Sequence, residues 1–199
     1  MKKLLIATTN PGKILEYRVI LKDLPVELVT LKDIGIKGGV EEDGKTFEEN
    51  AVKKVKFYSE LTNLPAIAED SGLEIDYLNG EPGIKSRRWP GYEASDEELI
   101  SMTLEKLKGV PMEKRGAQLK VVIALAINKE IKTFEGMIRG VIMEKPFKRI
   151  IPGYPFRTIF YIPEINKVLA EFTMEEEAKI AHRVIAMKEI IPIIKKYLC

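Results

Sequence analysis

The sequence predicts an α/β fold with a mixed sheet and two lobes facing a cleft, and three observations carry that expectation. Short apolar runs bounded by turn formers alternate with helical stripes through the first half of the chain. A long β-prone hairpin follows, and no repeat, linker or composition shift divides residues 1–199, which read as a single domain. With 45% hydrophobic and 31% charged residues, the 199-residue chain can bury one substantial core, which excludes a disordered or low-complexity polymer.

Leu4-Leu5-Ile6-Ala7 is a continuous apolar run, the mark of a short strand buried on both faces. Asn10 then offers a helix N-cap and Pro11 a preset first turn, so a helix is expected from Pro11 to about Leu21. A second strand is expected over 26–31. Thr46-Phe47-Glu48-Glu49 is a capping box that opens a helix with Ala51, Val52, Val55 and Tyr58 as its buried stripe. Ala66-Ile67-Ala68 reads as another buried strand, which Glu69-Asp70-Ser71-Gly72 is expected to interrupt before alternation resumes at Leu73.

The Gly-, Pro- and Arg-rich stretch 80–92 reads as a loop, and Ser95-Asp96-Glu97-Glu98 caps a helix that turns Leu99, Ile100, Leu104 and Leu107 inward and ends at Gly109. Segments 119–127 and 131–143 form a hairpin about Asn128-Lys129-Glu130. One more strand is expected over 157–162. Thr173-Met174-Glu175-Glu176 begins the last helix, with Ile180, Ala181, Val184, Ile185 and Met187 on its apolar side and Pro192 kinking or ending it.

Charge and cysteine usage narrow the partners. Thirty-two basic residues against thirty acidic ones leave a net charge of +2, so there is no bulk attraction for nucleic acid or anionic lipid, and an anionic ligand must be bound locally. Cys199 is the only cysteine, which excludes an intrachain disulfide framework and suits a reducing compartment, the cytoplasm. The apolar start is shorter than a signal h-region, and no run reaches the ~18 apolar residues of a membrane span.

Candidate chemistry lies where strands meet turns. Thr8-Thr9-Asn10-Pro11-Gly12-Lys13 joins a strand to a helix N-terminus, where unpaired N–H groups, the helix dipole and a lysine converge on an anion such as phosphate; a plain capped turn is the commoner role of such a segment. Lys54 is a second candidate cation. Asp70 follows an apolar strand at the edge where α/β sheets present ligands. Glu69, Glu41 and Glu42 add hard oxygen donors of the kind Mg²⁺ prefers when substrate phosphates complete its shell, although a turn cap and a solvated pair would explain them too. His182 is the only histidine, which excludes a His-rich metal site, and no Ser/His/Asp motif surrounds it. A carboxylate–metal site acting on phosphates remains.

Taken in order, these segments resemble the Ham1/inosine triphosphate pyrophosphatase family over nearly the whole chain. Ala7-Thr8-Thr9-Asn10-Pro11-Gly12-Lys13 with Glu16 is similar to its A-T-x-N-x-x-K-x-x-E opening, and Gly44 to Ala51 with Lys54 to its G-x-T-F-x-E-N-A-x-x-K. Ala68-Glu69-Asp70-Ser71-Gly72-Leu73, then Gly80-Glu81-Pro82-Gly83 with Ser86, resemble its A-D-D-S-G-L and G-x-P-G-x-x-S, and Ala170-Glu171 through His182-Arg183 its closing segment. Four motifs in the right order at matching spacing are specific where one alone is not.

The resemblance implies an elongated ITPase-like fold, usually a homodimer, that uses Mg²⁺ to split non-canonical purine nucleoside triphosphates into monophosphate and pyrophosphate. It implies that Thr8, Thr9, Asn10 and Lys13, with Lys54, hold the triphosphate. Asp70 and Lys54 are then the catalytic residues, and Glu41 (or its neighbour Glu42) and Asp70 bind the metal. Ser71, Gly153, Tyr154, Phe156, His182 and Arg183 contact the substrate.

Departures from the family pattern cluster on the base-recognition side. Gly153-Tyr154-Pro155-Phe156-Arg157-Thr158-Ile159-Phe160 stands where the family has G-F-G-Y-D-P-I-F, so Arg157 replaces an aspartate. Glu177 replaces the lysine of the closing E-E-K, and Glu69 replaces the first aspartate of D-D-S-G. Two other readings follow from these changes: a pyrophosphatase retuned to other or modified nucleotides, and a nucleotide-binding sensor without turnover.

Overall fold

The computed structural model describes residues 1–173, 176, 177 and 180–199. Met174, Glu175 and Lys179 of the expected closing segment lie outside the described residues. Seven strands form one mixed sheet in the order β2-β1-β3-β4-β5-β6-β7. They are β1 (Lys2–Ile6), β2 (Val26–Thr30), β3 (Ala66–Ile75), β4 (Gly116–Ile127), β5 (Glu130–Ile142), β6 (Phe160–Ile162) and β7 (Lys167–Val168). Four helices are described: α1 (Pro11–Ile20), α2 (Phe47–Thr62), α3 (Asp96–Lys106) and α4 (His182–Leu198). None of the described helices is long and apolar enough to cross a membrane.

The chain divides into two compact units. The first is built from Met1–Asp70, Val121–Gly136 and Ala178–Cys199. β1 pairs in parallel with β2, joined to it by the α1 crossover, and in parallel with β3 on its other side. The apolar run of β1 explains its central place: Leu4, Leu5 and Ile6 are all buried. Leu4, Ile6 and Ile67 share a core with Tyr17 and Leu21 from α1 and Ala186, Met187, Ile190 and Ile194 from α4. β4 contributes alternate residues to that core, Val121, Ile123, Leu125 and Ile127, while Val122, Ala124 and Ala126 between them are also buried. Its far end therefore reads as continuous hydrophobicity because both faces are covered. The turn into β5 is made by Asn128 and Lys129 at positive φ, as a two-residue hairpin turn demands.

The second unit comprises Ser71–Lys120 and Met137–Glu177. The expected capping box of α3 is complete, with Ser95 Oγ accepting from Glu98 N and the Glu98 carboxylate accepting from Ser95 N. Arg115 is buried and donates to the carbonyls of Leu107, Ile142 and Met143. It thereby satisfies the C-terminal end of α3, and its burial lowers its pKa.

Three expectations are corrected. β3 runs unbroken through Glu69-Asp70-Ser71-Gly72, because Arg183 compensates the charge of Glu69 and Asn50 hydrogen-bonds Asp70. Arg157 lies in a short 3₁₀ turn, Pro155–Thr158, ahead of β6, since the proline fixes φ at the start of that turn. The last helix carries its buried face on His182, Arg183, Ala186, Met187 and Ile190, leaving Ile185 exposed, because α4 starts afresh after its N-cap Ala181. It also continues through Pro192 to Leu198.

Gly136 in β5 decides how closely α4 approaches the sheet of its unit. A Cβ there would sit 2.0 Å from the carbonyl oxygen of His182 and 2.9 Å from Ala186 N, both backbone atoms. Gly136→Ala is therefore expected to destabilise the protein by about 1–3 kcal/mol or more, read by denaturant unfolding, as the first turn of α4 is pushed away.

Candidate active site

Register brings the key residues together. β1 ends at Ile6, opposite Ile67, and Ala7 N donates to Ile67 O at 2.8 Å. Residues 68–70 of β3 thus run past the C-terminal end of β1, beside the turn that opens α1. The ligand-presenting edge expected for Asp70 is the end of β1 rather than the end of its own strand.

Within that turn, Asn10 Oδ1 accepts from Gly12 N (2.9 Å) and Lys13 N (3.3 Å), and Thr8 Oγ1 accepts from Asn10 N (3.2 Å). The cap is the expected one. It occupies two of the amides that the sequence offered to an anion, so the positive charge available there is carried by the Lys13 side chain. Thr9 is exposed in the same turn.

Glu69, almost fully buried, gathers the cations. Arg183 grips it through two parallel bonds, Nε to Oε2 and Nη2 to Oε1, each 2.7 Å. Lys13 Nζ lies 2.9 Å from Oε1, and the Tyr17 hydroxyl donates to Oε2 at 2.6 Å. Arg183 Nη1 also reaches Glu16 Oε2 at 2.9 Å and lies 3.3 Å from His182 Nε2. Burial alone would raise the pKa of Glu69, but Arg183, Lys13 and the hydrogen bonds outweigh it and hold the carboxyl well below its usual range. Burial, then the charge of Glu69, pushes the Tyr17 phenol well above its ordinary value.

Asp70 has different surroundings. Asn50 Nδ2 donates to its Oδ2 at 2.8 Å, while Asn50 Oδ1 accepts from Gly44 N at 2.8 Å, tying the loop before α2 to β3. Gly44 has no room for a side chain, since a Cβ would meet Asn50 Oδ1 at 2.6 Å. Lys54 Nζ lies 3.9 Å from Asp70 Oδ1 and 3.2 Å from Glu42 Oε1. Burial raises the pKa of Asp70; Lys54 and Asn50 oppose this and Glu42 reinforces it.

Glu42 is the acidic neighbour that bears on Asp70, whereas Glu41, the expected metal residue, is exposed. Of the two alternatives, Glu42 is the one whose side chain reaches Lys54. Among the described residues no group of three His, Cys, Asp or Glu forms a ready-made metal cage. Asp70 and Glu42 offer hard oxygen donors, the type of which Mg²⁺ takes one or two while keeping water or phosphate oxygens in most of its shell.

In the second unit, Gly153 adopts φ +81° and its N–H donates to Asp96 Oδ2 at 2.7 Å. Phe156 is buried, and the Arg157 guanidinium carbon lies 3.7 Å from the centre of the Tyr154 ring. Arg157 and Glu177, the two charge reversals, meet each other: Nη1 to Oε2 at 2.8 Å and Nη2 to Oε1 at 2.7 Å. Ser71, partly exposed, directly follows Asp70 in β3.

Sequence reasoning missed Asn50, Glu16, Tyr17 and the central place of Glu69. Spacing held a signal for three of them. Lys13, Glu16 and Tyr17 stand at i, i+3 and i+4 on α1, and Asn50 and Lys54 at i and i+4 on α2, so each set shares a helix face.

An α/β scaffold with two adjacent buried carboxylates, each beside its own lysine, past the end of a parallel strand defines the class. Residues 4–193 match the model of the Ham1 family, and the chain belongs to that family. It is 41% identical over 188 residues to a dITP/XTP pyrophosphatase of Thermoanaerobacter pseudethanolicus, covering 94% of each chain. It is 40% identical over 191 residues to the dITP/XTP pyrophosphatase of Bacillus subtilis, covering 96% of each. Among solved structures, the Ham1 protein of Staphylococcus aureus aligns with a TM-score of 0.84 at 35% identity, covering 98% of this chain and 99% of that one. A HAM1 protein from Coxiella burnetii aligns at 0.86 and 33%, covering 98% and 100%.

The environment of Glu69 predicts its effect on stability. Glu69→Gln leaves Arg183 and Lys13 buried against a neutral amide and is expected to cost about 3–5 kcal/mol at pH 7. Because the folded-state pKa lies below the unfolded one, the stabilisation by ionised Glu69 is complete above the unfolded value and is lost as pH falls through the folded value. Denaturant unfolding of both proteins should therefore show the largest gap near neutrality and a shrinking one in acid.

Proposed function

We propose that this chain hydrolyses non-canonical purine nucleoside triphosphates, dITP, ITP and XTP, to the nucleoside monophosphate and pyrophosphate. The observation that carries the reading is the pair Glu69 and Asp70, one committed to Arg183 and Lys13 and the other beside Lys54 and Glu42. The names of the dITP/XTP pyrophosphatases to which the chain is similar support the substrate class.

Each residue then has a task. Lys13 and Lys54, with the Thr8-Thr9-Asn10 turn, bind and orient the phosphates. Asp70 orients a water molecule and takes its proton while the water oxygen bonds to the α-phosphorus in line with the departing pyrophosphate. A carboxyl whose pKa is raised is a better proton acceptor than an ordinary aspartate, which fits Asp70 to that step. Mg²⁺ held by Asp70 and Glu42 would supply neutralisation of the phosphate charge. Ser71, His182 and Arg183 contact the substrate, and Gly153, Tyr154 and Phe156 supply the turn and aromatic surface for its base.

Incubating the purified protein and Mg²⁺ with ITP, dITP, XTP and the standard nucleotides is expected to release pyrophosphate from the first three. Orthophosphate as the sole product, or no product, would overturn the reading.

Asp70→Asn separates function from stability. Loss of the base is expected to lower kcat by about 10²–10⁴-fold. A folded-state pKa above the unfolded one means that Asp70 favours folding only while protonated, and this advantage is lost as pH rises through the folded value. At neutral pH the variant is therefore expected to melt at a higher temperature than the wild type, as a thermal scan would show.

A further inference from the structure

We infer that Arg157 and Glu177 act as one polarity-inverted ion pair that positions the Tyr154 ring for the nucleobase, so that the two departures from the family motifs are a single compensated change. The inference rests on the nucleotide-hydrolase reading above and adds two positioning residues to it.

The pair is an ion pair closed by one hydrogen bond. Each Glu177 oxygen faces one guanidinium nitrogen of Arg157, at 2.8 and 2.7 Å, and both residues are buried. The Nη1–Oε2 hydrogen bond and the close Nη2–Oε1 ion-pair approach hold the planar guanidinium edge-on against the carboxylate. That plane matters because its carbon lies 3.7 Å from the Tyr154 ring centre, close enough for stacking and cation–π attraction. The backbone of the turn is held separately: Gly153 N by Asp96, Tyr154 N by Ile151 O, and Arg157 N by Tyr154 O. Backbone bonds set where the turn lies, and the Arg157–Glu177 pair sets the face against which the tyrosine ring rests.

Charge arithmetic supports treating the two positions together. The family motifs place an aspartate and a lysine where this chain has arginine and glutamate, so the sign is reversed at both positions and the sum stays at zero. A buried arginine or glutamate without its partner would be strongly unfavourable. Neither charge is tolerable buried alone, and together they form an opposite-charge contact.

The test is a four-protein cycle: wild type, Arg157→Asp, Glu177→Lys and the double variant, assayed for pyrophosphate release from ITP, dITP and XTP below their unfolding temperatures. Each single change sets like charges against each other and is expected to raise KM about tenfold or more with kcat within about threefold, whereas the double change brings KM back within about threefold of wild type. The order of preference among the three nucleotides stays the same. A double variant no better than the singles, or one whose preference shifts by about tenfold, overturns the inference, because each side chain would then act on the base by itself.

Arg157→Lys keeps the charge but removes the planar guanidinium; an unchanged KM in that variant also overturns it. Calorimetric ITP affinity and unfolding midpoints follow the same cycle without needing turnover. Rescue in both with no pyrophosphate from wild type would defeat the hydrolase reading and leave the pair standing. Turnover in wild type without rescue would do the reverse.

Discussion

An ionised carboxylate cannot be buried without compensation, and much of the first unit is arranged to meet that requirement at Glu69. The side chain is 3% exposed, and its two oxygens accept from an arginine, a lysine and a phenol. Those donors come from opposite ends of the chain. Lys13 and Tyr17 are on α1, while Arg183 lies 114 residues beyond Glu69 in the first turn of α4. Satisfying one carboxylate therefore fixes the positions of two helices against β3, and Gly136 provides the clearance that lets the first turn of α4 come close. The same contacts hold Lys13 and Arg183 at defined places.

Local rules made several parts of this arrangement legible in the sequence. The Asn10 cap, the Ser95 capping box, the apolar run of β1 and the Asn128-Lys129 turn all depend on neighbours within a few residues, and each forms as expected. The continuity of β3 was not legible in this way. Two acidic residues in a row look like a break until the distant Arg183 and the helix-borne Asn50 are placed beside them. The phase of α4 failed for a related reason, since its apolar face is counted from a start at His182 that the preceding residues do not announce. Glu41 and Glu42 are adjacent in a loop, where no periodicity separates them; only the contact with Lys54 does.

Arg157 and Glu177 show the same limitation at pair level. Each looks like a loss when compared singly with a motif, because a motif records residue types position by position. The physical requirement is on the sum: a buried contact between opposite charges. The Arg157–Glu177 contact meets it, which a position-by-position comparison does not register.

The chemistry follows from a property of β-strands that no motif states. Consecutive side chains point to opposite faces, so Glu69 and Asp70, although neighbours, meet different helices. Glu69 meets α1 and α4 with Arg183, Lys13 and Tyr17, and its pKa falls; Asp70 meets α2 with Asn50 and Lys54, and burial raises its pKa. Environments that push two carboxyl groups in opposite directions separate their tasks. The one whose pKa is lowered is suited to holding cations in place. Its neighbour gives up a proton less readily and regains one more easily, which suits it to accepting a proton from water. Two carboxyl groups on one short stretch of strand are thereby divided, by the faces on which they lie, into a structural anchor and the group that the proposed reaction uses as its base.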